Sequence, residues 1–441
     1  MLSSFIPVPA DSDFSLYNIP FGVFSPSSST ESDKDTARHC GTIIGNKVIS
    51  LTELGRAGKF DQVEGYEKGW FEASTLNLFA SQPLSSRRAV RHHIQHLFTS
   101  KSHSEVSLEG DEEVLKTVLF EQGEVVMHMS VKVGDYTDFC ASIYHTTNAG
   151  RLMAVKGPPV PPAWTHLPVG YHGRASSIVV SGTPITRPKG LRGPAPGSES
   201  TAPSFGPTRA LDMEFEMAAI VGGKGNEMGS SLGTGDVTEN IFGLVIMNDW
   251  SARDHQGYEM FPLGPFNGKN FATSVSPWVV TLDALEPFKT AMPAREEPIP
   301  LADYLVEKDS TPTFDLPLLM KIKPANEDDS TTIMRSNLKH LSYSFGQLLA
   351  HHTVSGCPMN AGDMLGSGTI SGPDPESLAC MLEITERGSK PLSTGGGNTR
   401  VWIEDGDVVD MYARVKRTGD DGEVANVGFG MCSGAIKPAT L

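Results

Sequence analysis

From about Val114 onward the chain breaks into short apolar and β-branched segments punctuated by Gly and Pro, and this texture constrains the fold more than any other feature. Ser177–Ser181, Met213–Val221, Ile241–Met247, Trp278–Leu282, Met381–Thr385 and Val408–Val415 are all of strand length and bounded by turn residues. Such runs predict a large, mostly antiparallel β domain rather than alternating βαβ units. One helix is expected to interrupt it, from about Asn337 to His352, with Leu338, Leu341, Phe345, Leu348 and Leu349 at helical spacing. Ahead of this region, Cys40–Leu54 reads as short strands around the Gly45-Asn46 turn, and Ser85–Phe98 reads as a helix. Lys101–Asp111 reads as linker, and the Pro-rich Pro194–Pro207 and Glu286–Pro300 as surface loops. A chain of 441 residues exceeds what one hydrophobic core usually serves, so two domains are expected.

Several function classes fall away on composition. The formal charge is −16, with 52 acidic against 36 basic residues, and a surface so acidic repels phosphate backbones and anionic lipid. Neither nucleic acid nor a membrane is therefore an expected partner. No apolar run reaches the ~18–20 residues of a membrane span, and Met1–Ser15 lacks the basic flank and apolar stretch of a secretory signal. The five cysteines, Cys40, Cys140, Cys357, Cys380 and Cys432, are scattered and include no Cys-x-x-Cys pair. That pattern fits a reducing, cytosolic setting and supports no disulfide framework or zinc knuckle. There is no Gly-rich phosphate loop, no His-Glu-x-x-His and no Gly-x-Ser-x-Gly.

What remains is a set of acids on or beside strands. In Leu211-Asp212-Met213-Glu214-Phe215-Glu216-Met217 the two glutamates share one face of a strand while Met213, Phe215 and Met217 take the other. An arbitrary Glu-x-Glu is more often a solvated stripe, but two carboxylates about 7 Å apart on one face also suit an intervening cation. Asp249 ends an apolar strand in Ile246-Met247-Asn248-Asp249-Trp250, and Asp138 lies seven residues ahead of His145. An all-oxygen donor set selects a hard cation, Mg²⁺ or Ca²⁺, over zinc or copper. His92, His93, His96, His351 and His352 fall on the two expected helices and read as structural or surface groups. The residues alone lead to an oxygen-ligated metal site with a histidine nearby.

Longer strings add to this. Gly134-Asp135-Tyr136-Thr137-Asp138-Phe139, the run His166 to Ser177 (HLPVGYHGRASS), Asn248-Asp249-Trp250-Ser251-Ala252-Arg253-Asp254 and Ser367-Gly368-Thr369-Ile370-Ser371-Gly372 resemble the fumarylacetoacetase family. So do Ser4-Phe5-Ile6-Pro7-Val8 near the start and Val427-Gly428-Phe429-Gly430-Met431-Cys432 near the end. The resemblance implies an SH3-like barrel over residues 1–115 and a mixed β-roll catalytic domain over 116–441, in a homodimer. It implies hydrolysis of a carbon–carbon bond in a diketone acid, as when fumarylacetoacetate gives fumarate and acetoacetate in tyrosine and phenylalanine breakdown. Carried over by position, the metal ligands are Asp138, Glu214, Glu216 and Asp249, with a further cation contact at Lys269 and Thr273. His145 matches the general base and Glu383 the acid that orients it. Arg253, Gln256 and Lys269 match the groups around the oxyanion, and Tyr171, Gln256 and Thr369 match substrate contacts.

Three positions depart from the family pattern. Cys140 and Met260 stand where the family has tyrosines, and Ala154 where it has an arginine; in the family these side chains hold the substrate's carboxylate end. Losing a desolvated Arg–carboxylate pair is costly, so these changes imply either a clamp rebuilt from neighbours such as Tyr144, Arg151 or Tyr258, or a less polar diketone. Three classes thus stand: the fumarylacetoacetate hydrolase, a relative acting on another diketone, acylpyruvate or decarboxylation substrate, and a metal-stabilised binding protein without turnover. The joint presence of His145, Glu383 and every metal acid argues against the last.

Overall fold

The computed structural model describes residues 3–28, 38–153, 157–194, 201–295, 300–325, 327–418 and 424–440. Two apolar strands, Phe215–Val221 and Ile241–Asp249, run antiparallel at the centre of a seven-stranded sheet, and every residue in both is buried. A strand buried on both faces needs a core on each side, and the period of two supplies it. Phe215, Met217, Ala219, Leu244 and Ile246 enter one hydrophobic cluster, whereas Ala218, Ile220, Val245 and Met247 enter another.

Outward from Phe215–Val221 the sheet continues through Met364–Gly366, Tyr136–Phe139 and Gly170–His172. Outward from Ile241–Asp249 it continues through Thr273–Val275 and Ile178–Val180. Two of these pairings are parallel and the rest antiparallel. The first cluster is closed by a five-stranded sheet that contains Thr331–Asn337, Pro317–Lys323, Val408–Thr418, Val424–Lys437 and Ile185–Thr186. The second is closed by residues of the N-terminal part, among them Val23, Cys40, Ile49, Phe79, Val90 and Ile94. There an antiparallel five-stranded sheet joins Gly22–Pro26, His39–Ile44, Lys47–Ser50, Leu119–Glu121 and Val125–His128. Its last two strands lie past residue 115. The architecture is strand-rich α+β, as expected.

Four local expectations are corrected. Met381–Thr385 is not a strand: Met381–Ile384 forms a helical turn, because the Asp212 carboxylate accepts the Met381 and Leu382 N–H groups at 2.6 and 3.0 Å. The helix expected from Asn337 to His352 is a 3₁₀ turn at Leu338–His340, then an α-helix at Phe345–Thr353. Ser344 separates them as the N-cap of a capping box with Gln347. Within Trp278–Leu282, Val279 and Val280 make isolated bridges and a helical turn starts at Leu282. Ser204–Pro207, expected as loop, pairs with Lys189–Arg192. The Ser85–Phe98 helix is found as Leu84–Leu97. No helix among the described residues is long and apolar enough to cross a membrane, and the five cysteines are free thiols.

Candidate active site

Glu214 and Glu216 extend the face that Ala218 and Ile220 present to the second core, and Asp249 extends the face of Val245 and Met247. Asp138 arrives from the other side, its strand pairing in parallel with Met364–Gly366, where Asp138 stands opposite Gly366. A glycine is required there: a Cβ on Gly366 would lie 2.7 Å from Asp138 Oδ1 and 2.7 Å from Met247 Cε. The four carboxylates each offer an oxygen within 4.8 Å of the others, and all four residues are buried.

Their surroundings are rich in donors. Lys269 Nζ donates to Glu214 and, at 2.6 Å, to Asp249 Oδ2. Asp249 also accepts from Tyr171 Oη at 2.8 Å and Thr273 Oγ1 at 3.0 Å. Arg253 Nη2 pairs with Glu214 Oε1 at 2.7 Å, its Nε with Asp212 at 2.8 Å, and its Nη1 donates to Gln256 Oε1 at 3.1 Å. The Gly368 N–H donates to Glu216 Oε2 at 2.9 Å. Even so, Asp138 Oδ1 and Glu216 Oε1 have no hydrogen-bond partner.

Burial and then mutual repulsion set the proton affinities. Burial, reinforced by Asp249, pushes Asp138 up to about 7; burial with Asp138 and Glu214 pushes Glu216 well above the usual carboxylate range. Burial also raises Asp249 against the pull of Lys269, whereas at Glu214 burial is outweighed by Lys269 and Arg253, which hold it low. Crowded buried carboxylates with orphaned oxygens are the donor set of a hard divalent cation, so the residues fit a resident metal. Lys269 is a donor in this arrangement: against its burial, Asp249 and Glu214 hold the ammonium in its charged form, which has no lone pair.

A second buried cluster adjoins the first. Ser142 caps the helix Ile143–Leu152 and places His145 on its first turn, 8% exposed. His145 Nδ1 lies 2.7 Å from Glu383 Oε2, carried by the Met381–Ile384 turn. Glu383 also accepts from Ser371 Oγ at 2.6 Å, Asn148 Nδ2 at 2.8 Å and Cys380 Sγ at 3.2 Å. Burial works against its ionisation, but His145 and these donors prevail and bring it down to about 2. Glu383 is therefore a carboxylate, His145 Nδ1 carries the proton between them, and Nε2 is the basic nitrogen.

Two sequence-family models match the chain, and both clusters lie within the second. Residues 17–130 match the model of the fumarylacetoacetase N-terminal region and 136–430 that of the fumarylacetoacetate (FAA) hydrolase C-terminal region. The chain belongs to the fumarylacetoacetate hydrolase family. It is 44% identical over 440 residues to a fumarylacetoacetase of Arabidopsis thaliana, covering 100% of this chain and 99% of that one. It is 42% identical over 438 residues to the Homo sapiens fumarylacetoacetase, covering 99% of each. In fold it is similar to the crystal structure of Cg1458 with inhibitor, at TM-score 0.50 and 11% identity, covering 96% of this chain and 100% of that one.

The remaining residues named from sequence are distributed unevenly in this family member. Thr369 is buried beside Gly368 with its hydroxyl unpartnered. Cys140 is half-buried and shares a 3.1 Å contact with Thr146 Oγ1. Burial raises its thiol to about 12, and the charges of Asp138, Glu214 and Glu383 add to that rise. Met260 ends the helix Arg253–Glu259, half-buried. Ala154 lies outside the described residues. Of the neighbours named as a rebuilt clamp, Arg151 and Tyr258 are exposed and Tyr144 is half-buried against His340. Asn148, Ser371, Cys380 and Asp212 are site residues that the sequence did not single out. Ser371 and Asp212 lie inside quoted motifs, but nothing in their spacing says which neighbour they serve.

Proposed function

We propose that this chain is a metal-dependent hydrolase that cleaves a carbon–carbon bond in a 1,3-diketone acid, as in conversion of fumarylacetoacetate to fumarate and acetoacetate. The observation that carries this reading is a buried four-carboxylate cluster adjoining a histidine–glutamate pair. Asp138, Glu214, Glu216 and Asp249 would hold the divalent cation, Ca²⁺ or Mg²⁺, with Lys269 and Thr273 steadying Asp249. Bound there, the cation would act as a Lewis acid on the diketone oxygens.

This chain's own residues supply the rest. With Nδ1–H committed to Glu383, His145 takes a proton from water at Nε2 and makes it a nucleophile toward the carbonyl. Negative charge growing on that carbonyl oxygen is met by the Arg253 guanidinium, the Lys269 ammonium and the Gln256 amide. Gln256 is suited to donate because its Oε1 already accepts from Arg253, which leaves Nε2 for substrate. Tyr171 and Thr369 border the same cluster and would contact the diketone. The bond between carbonyl carbon and methylene carbon then breaks, and the leaving carbanion, stabilised as an enolate by its own ketone, takes up the proton that His145 Nε2 removed from water. A monoketone would give no such leaving group.

A second reading of the substrate rests on Cys140. A neutral thiol among Asp138, Glu214 and Glu383, together with Met260, gives an anionic tail no donor to replace its water, so a diketone with an uncharged far end is favoured. The deciding experiment follows loss of diketone ultraviolet absorbance after chelation and readdition of Mg²⁺ or Ca²⁺. Fumarylacetoacetate is compared with neutral-tailed 1,3-diketones and acylpyruvates. Cation-dependent turnover of some diketone is expected, and its absence with every substrate would overturn the activity. A higher kcat/KM for fumarylacetoacetate than for neutral analogues would overturn the second reading. For organisation we propose an SH3-like unit over 1–115 and a catalytic β-roll over 116–441, with strands at 119–128 lent to the smaller sheet. A homodimer follows the family pattern, and a cytoplasmic setting suits the five free cysteines.

A further inference from the structure

Asp212 has none of the roles above, yet it is fully buried and touches both halves of the site. Its Oδ2 accepts from Arg253 Nε at 2.8 Å and from the Leu382 N–H at 3.0 Å, and its Oδ1 accepts from the Met381 N–H at 2.6 Å. Its backbone is fixed in turn, since Leu211–Asp212 pairs antiparallel with Ser251–Ala252 directly before Arg253. On one side Arg253 reaches on to Glu214 and Gln256; on the other, Met381–Ile384 carries Glu383 to His145. A continuous buried chain therefore runs from Lys269 through Glu214, Arg253 and Asp212 to Glu383 and His145.

We infer that Asp212 is a positioning residue that sets the Arg253 guanidinium and the Glu383 carboxylate from one fixed point. A four-residue helical turn cannot hold its own direction, because so short a helix is unstable alone. Two N–H groups aimed at a buried carboxylate supply that direction. Arg253, pulled by Glu214 on one edge, needs a second anchor on the Nε edge to keep its remaining donors aimed, and a planar fork held on two edges has little freedom. Because both groups hang on the same carboxylate, a displacement on the Arg253 side is transmitted to the His145–Glu383 contact.

The kinetic arm of the test rests on the proposed activity; the spectroscopic arm does not. In protein labelled with ¹⁵N-histidine, the His145 Nδ1–H proton shared with Glu383 gives its own resonance, identified by its loss in Glu383→Gln. Asp212→Asn keeps shape and one acceptor but removes the charge, and is expected to shift or abolish that resonance. It should lower kcat about 10–100-fold with KM changed less than about threefold, as for groups that orient reacting residues. Combined with Glu383→Gln it should cost less than it does alone, since the part of its effect that runs through Glu383 is already lost and only the Arg253 part remains. An unmoved resonance with wild-type kcat and only a lower melting temperature would overturn the proposal, because a merely structural anchor does that. If the wild type turns over no diketone, the activity reading fails while the resonance still decides this one. Should Asp212→Asn not fold, Arg253→Lys withdraws the Nε donor and leaves the Met381 and Leu382 bonds. A resonance unmoved there overturns the coupling equally.

Discussion

In the proposed reaction His145 and Glu383 divide one proton-handling task, and each half can be tested separately. His145→Ala removes the basic nitrogen without touching the four-carboxylate cluster, so turnover should fall about 10²-fold or more with cation affinity kept. Calorimetric titration with Mg²⁺ or Ca²⁺ beside a turnover assay checks both, and near wild-type turnover would place the base elsewhere. Glu383 carries a pH signature. Its value is lowered from an ordinary 4.5 to about 2, with burial opposing and His145, Ser371 and Asn148 prevailing. A carboxyl lowered on folding contributes stability that is fully present above its unfolded value and is lost as pH falls through its folded one. The melting temperatures of wild type and Glu383→Gln should therefore differ most above about pH 5 and converge between about pH 4.5 and 2. A gap that stays constant across that window would mean Glu383 is not held as a carboxylate. Glu214, Glu216 and Asp249 were legible from strand period and from polar residues ending an apolar run. Asn148 and Ser371 were not: an amide on a helix and a hydroxyl in a loop reveal no partner until the chain brings Glu383 to them.

Among the elements, the pairing of Tyr136–Phe139 with Met364–Gly366 is where the chemistry depends on the absence of a side chain. Gly366→Ala would set a Cβ 2.7 Å from both Asp138 Oδ1 and Met247 Cε, so the carboxylate or the sheet must move. Overpacking of this kind costs about 1–3 kcal/mol, and displacement of one of four ligands should weaken cation binding about tenfold or more. A thermal melt and a cation titration on this variant are the check, and wild-type affinity would show that Asp138 does not need that notch. The strands here were readable because each is apolar and several residues long. Met381–Thr385 was misread because five mostly apolar residues carry too little periodicity to distinguish strand from helix. What decides it is Asp212, about 170 residues earlier in sequence. The Asn337–His352 helix is overextended for a related reason: leucine spacing continues through Ser344, whereas the α-helix starts only there, at its capping box.

At the scale of the whole molecule, the two central strands of the large sheet have no face left for water. Ala218, Ile220, Phe242, Val245 and Met247 share a cluster with Phe21, Phe79, Val90 and Ile94 of the N-terminal part. Phe242 sits 5.7 Å from both Phe21 and Phe79, ring centre to ring centre. Residues 131–441 alone, which contain every candidate catalytic group, should be insoluble or collapsed without fixed tertiary packing. The intact chain should melt in one cooperative step by calorimetry. Two separate transitions would show the halves to be independent. The consequence is one of inheritance. The two family signatures meet between residues 130 and 136, a seam at which a chain can be divided on paper. Yet neither side is free to be shuffled onto a foreign neighbour, because each is the other's interior. A genetic screen for lost activity would collect lesions at Phe21 and Phe79, in the part that holds no candidate catalytic residue, alongside those at His145 and Glu383.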